Sequence, residues 1–307
     1  MDSSSSALPT VLLFVLFWAL EIFSTKLGFL AGAKVLPYTV QCSLTAFVVL
    51  ACWTIPRERA RLKELFFSRR RLFLQISVAN LIHYFFGTIF YMLGVSMTSA
   101  MNIGFLVSLS TPMNSILAWV ILNEPIRRSR GLLLFLLIAG AYILATNLRT
   151  LVPHEGDLLI AAAAFCWALG NVLMRRAIKG TDVSGDVVSF LKPPVGLPFF
   201  LLASLFGQHY LGPTSVFAGD PFSDFSCLRY AMLAGLFAAL LWIFLYRALK
   251  VAQSAYVSMI GLATPVLVSL LAFTFLDERL SPVQIFGASL ILVAGFMTHW
   301  TARKGVH

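Results

Sequence analysis

The sequence predicts an all-α membrane protein in which ten transmembrane helices form two inverted five-helix repeats around a central cavity. Composition, the lengths of the apolar runs and a weak internal repeat support this prediction. Of the 307 residues, 59% are hydrophobic and only 12% are charged, whereas about a quarter of the residues in a soluble domain are charged. A soluble globular fold is therefore excluded.

Apolar runs long enough to cross a bilayer recur from one end of the chain to the other. A membrane-spanning helix needs about 20 residues. Helices are the expected form, because backbone groups that face lipid must be hydrogen-bonded within their own segment. The ten predicted spans lie near residues 8–30, 36–55, 72–95, 100–122, 131–148, 157–175, 184–207, 226–248, 252–276 and 282–301. The connections between them are short, which leaves no room for a separate soluble domain.

The basic residues indicate how the chain is oriented. With a cytoplasmic amino terminus, most of the 23 Lys and Arg residues fall on inner connections. Only Lys34, Arg149, Arg229 and Arg279 fall on outer ones. The positive-inside rule therefore predicts that both termini are cytoplasmic, and we expect a multi-pass protein of the plasma (inner) membrane. The densest basic stretch, residues 57–71, is explained by topology, so no nucleic-acid partner is expected.

The two halves of the chain resemble each other in order and spacing. In chain order the matching positions are Trp18 and Trp167, Tyr91 and Tyr246, Ser99-Ala100 and Ser254-Ala255, Thr111-Pro112 and Thr264-Pro265, Glu124 and Glu278, and Gly140 and Gly295. These matches predict one repeat at residues 1–150 and a second at residues 151–307. Five spans in each repeat would make the second enter the membrane in the opposite sense, and inverted repeats are a basis for alternating access.

These features together resemble a known family. Spans 4 and 9 each contain a Ser-Ala segment that leads to a Thr-Pro, and an acidic turn follows each of them, Asn123-Glu124-Pro125 and Asp277-Glu278-Arg279. With the five-plus-five arrangement, this pattern resembles the EamA-type branch of the drug/metabolite transporter superfamily over nearly the whole chain. The resemblance implies ten helices around a central substrate cavity and a transport function, without specifying the substrate.

Few ionisable groups lie inside the predicted spans, where each costs at least ~2.5 kcal/mol to insert. Glu21 lies in the middle of span 1, on the same helical face as Trp18, and we expect this face to point inward. Lys192 lies inside span 7. It either binds an acidic group of a substrate or pairs with Glu21, and snorkelling toward the cytoplasm is the alternative. Lys26 is expected to snorkel to the outer interface.

Span 3 has one polar and aromatic face at helical spacing, formed by Asn80, His83, Tyr84, Gly87 and Tyr91. His83 titrates near neutrality unless its surroundings change this, so His83 and Glu21 are candidate proton carriers for coupled transport. The alternative is a neutral histidine that hydrogen-bonds between packed helices. No second His or Cys stands at ligand spacing, and neither a metal nor another cofactor is expected.

Acidic, basic and aromatic residues of both repeats are predicted to form one substrate site. The predicted substrate-binding residues are Trp18, Glu21, His83, Tyr84, Tyr91, Trp167, Asn171, Lys192, Trp242 and Tyr246. Such a site suits an amphipathic or aromatic solute whose amine meets Glu21 and whose carboxylate meets Lys192. Helix breaks or hinges are predicted at Pro112, Pro193, Pro194 and Pro265, because proline removes a backbone donor and duplicated interruptions mark transporter sites.

The leading hypothesis is a secondary transporter of a small polar or amphipathic metabolite, and the resemblance implies export of amino acids or related compounds. An exchanger of phosphorylated or nucleotide-linked sugars is the alternative within the superfamily, although such a cavity should be more basic. An intramembrane enzyme acting on lipids, with His83 and Glu21 as acid and base, is the alternative from another class. The sequence has no phosphate-binding loop and no common hydrolase motif, so we expect gradient-driven transport and no catalysis.

Overall fold

The structure is a computed structural model that describes residues 3–123, 128–149, 153–210, 219–222, 225–251, 261 and 263–303. Every regular element in these ranges is helical. This agrees with the prediction of an all-α chain, and predicted features in the remaining ranges, among them Glu124, Pro125 and Ser254-Ala255, lie outside the described residues.

The described residues of the first half form seven α-helices and two short segments of other helical geometry. They are α1 (Ser3–Leu30), α2 (Val35–Phe67), α3 (Arg70–Asn80), a π-helical turn (Leu81–Phe86), α4 (Gly87–Met97), α5 (Ala100–Leu106), a 3₁₀ turn (Val107–Leu109), α6 (Ser110–Leu122) and α7 (Arg128–Thr146). The second half contains α8 (Glu155–Ile178), α9 (Gly185–Phe190), α10 (Lys192–Tyr210), α11 (Leu228–Val251), α12 (Ala263–Leu276) and α13 (Pro282–Arg303).

Seven helical segments in the described residues are long and apolar enough to cross a membrane. They are Leu8–Leu30, Val35–Phe67, Arg70–Met97, Ala100–Leu122, Glu155–Ile178, Gly185–Phe206 and Leu228–Ala248. Three shorter apolar helices, Gly131–Thr146, Ala263–Leu276 and Pro282–Ala294, fall where the other predicted spans lie. Many large apolar side chains on these helices are exposed, such as Leu132, Phe135 and Phe275, as expected for a surface that contacts lipid.

The helices pack in a small number of extensive pairs. The closest associations are α1 with α11, α4 with α8, α2 with α11, and α7 with α13. Buried side chains from both halves form the largest apolar cluster, for example Ile103 and Leu137 with Ile160 and Ile291. The core is therefore shared between the two halves of the chain.

The connection after the second span differs from the prediction. Instead of leaving the helix at Pro56, the chain remains helical to Phe67, with one non-helical residue at Glu58. Beyond the end of this helix, Arg69 bonds to Asp182 at 2.5 Å and to Glu64 at 2.7 Å. The hydrogen bond from Arg69 holds the pKa of the exposed Asp182 carboxyl below its usual value. This contact joins the connection after α2 to the connection after α8.

The prediction that Lys26 snorkels to the outer interface is wrong. Its side chain is buried, and Nζ donates to the backbone oxygens of Val95 at 3.1 Å and Thr98 at 2.5 Å. The last carbonyls of α4 lack partners within their own helix, so a buried ammonium group is satisfied there without reaching water.

Candidate functional site

A cavity of about 180 Å³ lies inside the helix bundle. Its walls come from both halves of the chain, and they include all ten residues that the sequence predicts for a substrate site. The structure thus brings these residues together in one place. Whether they bind a substrate remains a prediction.

The acidic side of the cavity is Glu21 on α1. The residue is only 8% exposed. Oε1 accepts a hydrogen bond from the Thr25 hydroxyl at 3.2 Å, and Oε2 accepts one from the Tyr91 hydroxyl on α4 at 3.1 Å. Because a buried charge without hydrogen bonds is very costly, these two donors explain how an acidic group is held at this depth.

The basic side is Lys192, at the start of α10. It is 3% exposed, and Nζ lies 4.8 Å from the centre of the Trp242 ring and 5.9 Å from that of Tyr246. One alternative predicted from the sequence is an ion pair between Lys192 and Glu21. Both residues are described, and this ion pair does not form. Aromatic faces attract a cation, but they do not neutralise it. Lys192 is therefore a basic group of the cavity wall without a carboxylate partner among the described residues.

The helix interruption beside Lys192 lies slightly before the predicted position. Helix α9 ends at Phe190, Leu191 is its C-cap, and α10 begins at Lys192. Pro193 and Pro194 occupy the first turn of α10, where proline is tolerated because the missing N–H groups would have no helical partner. The prolines thus begin the second helix, and the break itself places Lys192 at the cavity wall.

A π-helical turn shapes the third span. The sequence predicts one continuous helical face, whereas residues Leu81–Phe86 form a π turn between α3 and α4. Of the predicted face, His83, Tyr84 and Tyr91 line the cavity, whereas Asn80 donates to the Val188 carbonyl at 3.4 Å and Gly87 lies against the Trp167 ring. The face therefore lines the cavity at three of its five predicted positions. Such turns are frequent at functional sites.

Aromatic rings cover much of the remaining wall. Trp167 on α8 stands 5.3 Å from the Tyr91 ring and 6.3 Å from the His83 ring. On the opposite side the ring centres of Tyr84 and Trp242 are 5.5 Å apart. Rings at such separations bury large apolar areas while their polar edges remain available to a ligand.

The predicted hinge at Pro112 coincides with an irregular segment of the fourth span. A 3₁₀ turn at Val107–Leu109 precedes α6, and Pro112 lies in the first turn of that helix. Pro265 likewise lies near the start of α12. Residues 252–260, which would show whether the helix is interrupted before Pro265, lie outside the described residues.

The sequence prediction did not include several residues of the cavity. Among them are Phe14, Cys42, Ser43, Thr88, Met92 and Ser110. Ser43 has a clear role, because its hydroxyl accepts a hydrogen bond from the Tyr84 hydroxyl at 2.9 Å. The signal available in the sequence was the adjacent pair Cys42-Ser43 in the middle of an otherwise apolar span.

The arrangement can bind both ends of a small ligand. Glu21 and Lys192 offer opposite charges and the aromatic rings offer apolar surface, as in pockets where a few polar groups orient a mostly apolar ligand. Within the part of the chain that the structure describes, no group of three His, Cys, Asp or Glu side chains could hold a metal ion.

Comparisons with known proteins point to transport. The chain matches the EamA-like transporter family over residues 5–146 and again over residues 154–300. It is 24% identical over 215 residues to "Uncharacterized transporter YyaM" of Bacillus subtilis (strain 168), covering 68% of this chain and 67% of the relative. An "Uncharacterized transporter" of Methanothermobacter thermautotrophicus is 22% identical over 243 residues, 76% of this chain and 67% of the relative. One crystal structure shares the fold, with a TM-score of 0.62 at 17% identity over 98% of both chains.

Proposed function

Because the chain belongs to the EamA-like transporter family, it is a multi-pass membrane transporter, and we propose that it moves a small amphipathic metabolite by alternating access. The observation on which this proposal chiefly rests is the cavity, which holds an acidic and a basic side chain between aromatic walls formed by both halves of the chain. The proposed solute is an amino acid or a related compound, and export is the direction that the resemblance implies.

The proposed architecture is two inverted repeats of five spans. The helix contacts support it, because exchanging the two halves of the chain turns one pair of packed spans into another. The first and eighth spans pack through α1 and α11, and the sixth and third pack through α8 and α4. The fifth and tenth spans, α7 and α13, pack against each other. Contacts of this kind are expected when two similar bundles are related by a two-fold axis, and five spans per half would invert the second.

The proposed substrate chemistry follows from the two charged residues. Lys192 is available for a carboxylate, and Glu21 is held where an amine could meet it. A zwitterion satisfies both charges at once, and an aromatic side chain would stack against Trp18 or Trp167, which also line the cavity. A phosphorylated sugar is less well matched, because Lys192 is the one Lys or Arg among the described lining residues.

Orientation and coupling complete the proposal. In the proposed orientation both termini are cytoplasmic and the membrane is the plasma (inner) membrane, and the distribution of basic residues supports this orientation. Protons are the proposed coupling ion, with Glu21 and His83 as the groups that would carry them, since both line the cavity and carboxyl and imidazole groups form proton relays in transporters.

The test is counterflow in proteoliposomes with L-phenylalanine as the probe. Liposomes loaded with unlabelled L-phenylalanine should accumulate the radiolabelled compound chemically unchanged. Phenethylamine and 3-phenylpropionate, which each lack one of the two charges, should compete less well than L-phenylalanine. Lys192→Met should lose most of the counterflow, whereas Lys63→Met, which removes an exposed lysine far along α2, should retain it.

Three results would count against the proposal. A chemically altered product would indicate an enzyme. Equal counterflow in Lys192→Met and Lys63→Met would show that Lys192 does not bind the solute. Absence of counterflow for L-phenylalanine, with correctly folded protein in the liposomes, would reject the amphipathic zwitterion as the substrate class.

A further inference from the structure

A second group of buried and partly buried polar residues lies beyond one end of the cavity, where the ends of several helices meet. It comprises Lys26, Thr98, Asn102, Asp157, Glu278 and Gln284, and we call it the end cluster. Lys26 follows Glu21 by five residues on α1, which is about 7.5 Å along a helix. Thr98 follows Tyr91 at the end of α4. The end cluster therefore closes the bundle one to two helical turns beyond the cavity.

Glu278 makes one of the polar contacts between the two halves of the chain. Its Oε1 and Oε2 accept hydrogen bonds from the backbone N–H groups of Ala100 and Met101, at 3.0 and 3.1 Å. These amides begin the helical span Ala100–Leu122, and the first N–H groups of a helix have no partner within it. A carboxylate is also favoured there by the helix dipole.

The Ser-Ala segment of the sequence completes this helix start. The Ser99 hydroxyl accepts a hydrogen bond from the Asn102 N–H at 3.1 Å, as an N-cap residue does. Ser99 and Glu278 thus satisfy three successive backbone donors, and only Glu278 comes from the other half of the chain. Moving the two halves apart at this end would leave two of these donors without their partner.

The other members of the end cluster extend the connection to further helices. Asp157, at the start of α8, accepts hydrogen bonds from the Thr98 hydroxyl at 2.5 Å and the Asn102 side chain at 3.3 Å. Gln284 on α13 donates to the Leu144 carbonyl at 3.3 Å. Lys26 lies near enough to Glu278 for a favourable charge interaction.

The internal repeat duplicates the residues that make this contact. Asp277-Glu278 corresponds to Asn123-Glu124, and Ser99-Ala100 corresponds to Ser254-Ala255. Asn123 and Asp277 both adopt the left-handed conformation, with φ of 54° and 51°, so the chain leaves the fourth and ninth spans in the same way. Glu124 and Ser254-Ala255 lie outside the described residues.

We propose that Glu278 is a gate residue whose bonds to the Ala100 and Met101 N–H groups hold one end of the cavity closed. Breaking these bonds favours opening at that end. This inference rests on the proposed alternating access. In the proposed orientation Glu278 lies on the outer side.

Cys42 is a natural reporter for this gate, because it lines the cavity and is otherwise buried. Cys52, Cys166 and Cys227, which are also free, are replaced by serine. The reconstituted protein is treated from one side with a membrane-impermeant methanethiosulfonate reagent, and the rate of Cys42 modification is measured. This modification rate is measured without a substrate, so it tests the gate even if L-phenylalanine is not transported.

Glu278→Gln should raise the rate of Cys42 modification from the outer side about tenfold, because hydrogen bonds to a charged group are stronger than those to a neutral one. The rate from the cytoplasmic side should not rise. Asp277→Asn is the matched control, since Asp277 precedes Glu278 but its side chain is 86% exposed and forms an ion pair with the exposed Arg279. It should leave both rates unchanged.

Equal rates in Glu278→Gln and the parent, or an increase from both sides at once, would overturn the proposal. If Glu278→Gln does not reach the membrane in folded form, Thr98→Val replaces it, because this variant removes the bond to Asp157 and should raise the outer rate in the same direction. Counterflow of L-phenylalanine is measured separately. Its absence would argue against the proposed function, whereas an unchanged labelling rate would argue against the gate alone.

Discussion

Lys192 is an unusual residue, because a buried lysine normally has a carboxylate partner. Here the contacts to its ammonium group are the rings of Trp242 and Tyr246. A buried charge without an ionic partner costs free energy, so replacing Lys192 with an apolar residue of similar volume should not destabilise the protein. If Lys192 is kept for an anionic ligand, its removal should therefore have opposite effects on stability and on binding.

Lys192→Met is predicted to melt at the same temperature as the parent or higher, and to lose the stabilisation that saturating L-phenylalanine gives the parent. The affinity should fall at least about tenfold, as for the loss of a charged hydrogen bond. Thermal unfolding with and without L-phenylalanine measures both effects. A lower melting temperature with an unchanged ligand shift would show that Lys192 is a structural residue instead.

Tyr91 is predicted to orient Glu21. Tyr91→Phe removes the hydroxyl that donates to Oε2 and leaves the Thr25 bond in place, at a cost of about 1 to 3 kcal/mol for a buried group that loses one partner. We expect a lower melting temperature and a partial loss of affinity for phenethylamine, which has only the amine. Tyr230→Phe, which loses an exposed contact with Arg229, is the control and should change neither. Equal effects in the two variants would contradict this role.

The site residues could be found from the sequence because few polar residues occur in the apolar spans, and each needs an interior position. That reasoning identified Glu21, Lys192 and His83. It was wrong for Lys26, because the free carbonyls that bind Lys26 belong to Val95 and Thr98, some seventy positions away in the chain. Backbone partners of this kind have no side-chain signature.

At the scale of the elements, α7 and α13 are held together by closely approaching glycines. A Cβ added to Gly140 would lie 2.8 Å from the Gly287 carbonyl oxygen, and one added to Gly287 would lie 2.8 Å from that of Gly140. Small residues allow helix backbones to approach closely in a membrane, where association depends on packing. This contact therefore sets the distance between the fifth and tenth spans.

Gly140→Val is predicted to destabilise the protein by about 1 to 3 kcal/mol, as for an overpacked contact. Gly131→Ala on the same helix is the control, because its Cβ would have no atom within 4 Å. Thermal unfolding in detergent should show a lower melting temperature for Gly140→Val only. Equal melting temperatures for Gly140→Val, Gly131→Ala and the parent would show that α7 and α13 do not pack closely at Gly140.

Element boundaries were less predictable than the elements themselves. The long apolar runs gave the positions of the spans, but the π turn at Leu81–Phe86 has no distinctive sequence pattern. The prolines after Leu191 indicated a break to within a few residues. The π turn depends on how the third span packs on its neighbours, including Gly170, where an added Cβ would meet His83.

For the whole molecule, the weak sequence similarity between the halves predicted more of the cavity lining and of the helix packing than any single motif did. Trp18 and Trp167, matched in the repeat, line the same cavity, and the packing pairs α1 with α11 and α4 with α8. The similarity between the halves did not predict the contact between Glu278 and the helix start at Ala100. These positions are far apart in the chain, and only the structure brings them together.

The central claim is that one cavity opens to each side of the membrane in turn. The most direct measurement is the modification of Cys42 by an impermeant methanethiosulfonate reagent, applied separately to each face of the reconstituted parent protein that retains only this cysteine. Cys42 should be modified from both faces, and saturating L-phenylalanine should slow the modification from both. Modification from a single face, or no protection by L-phenylalanine from either face, would contradict this claim.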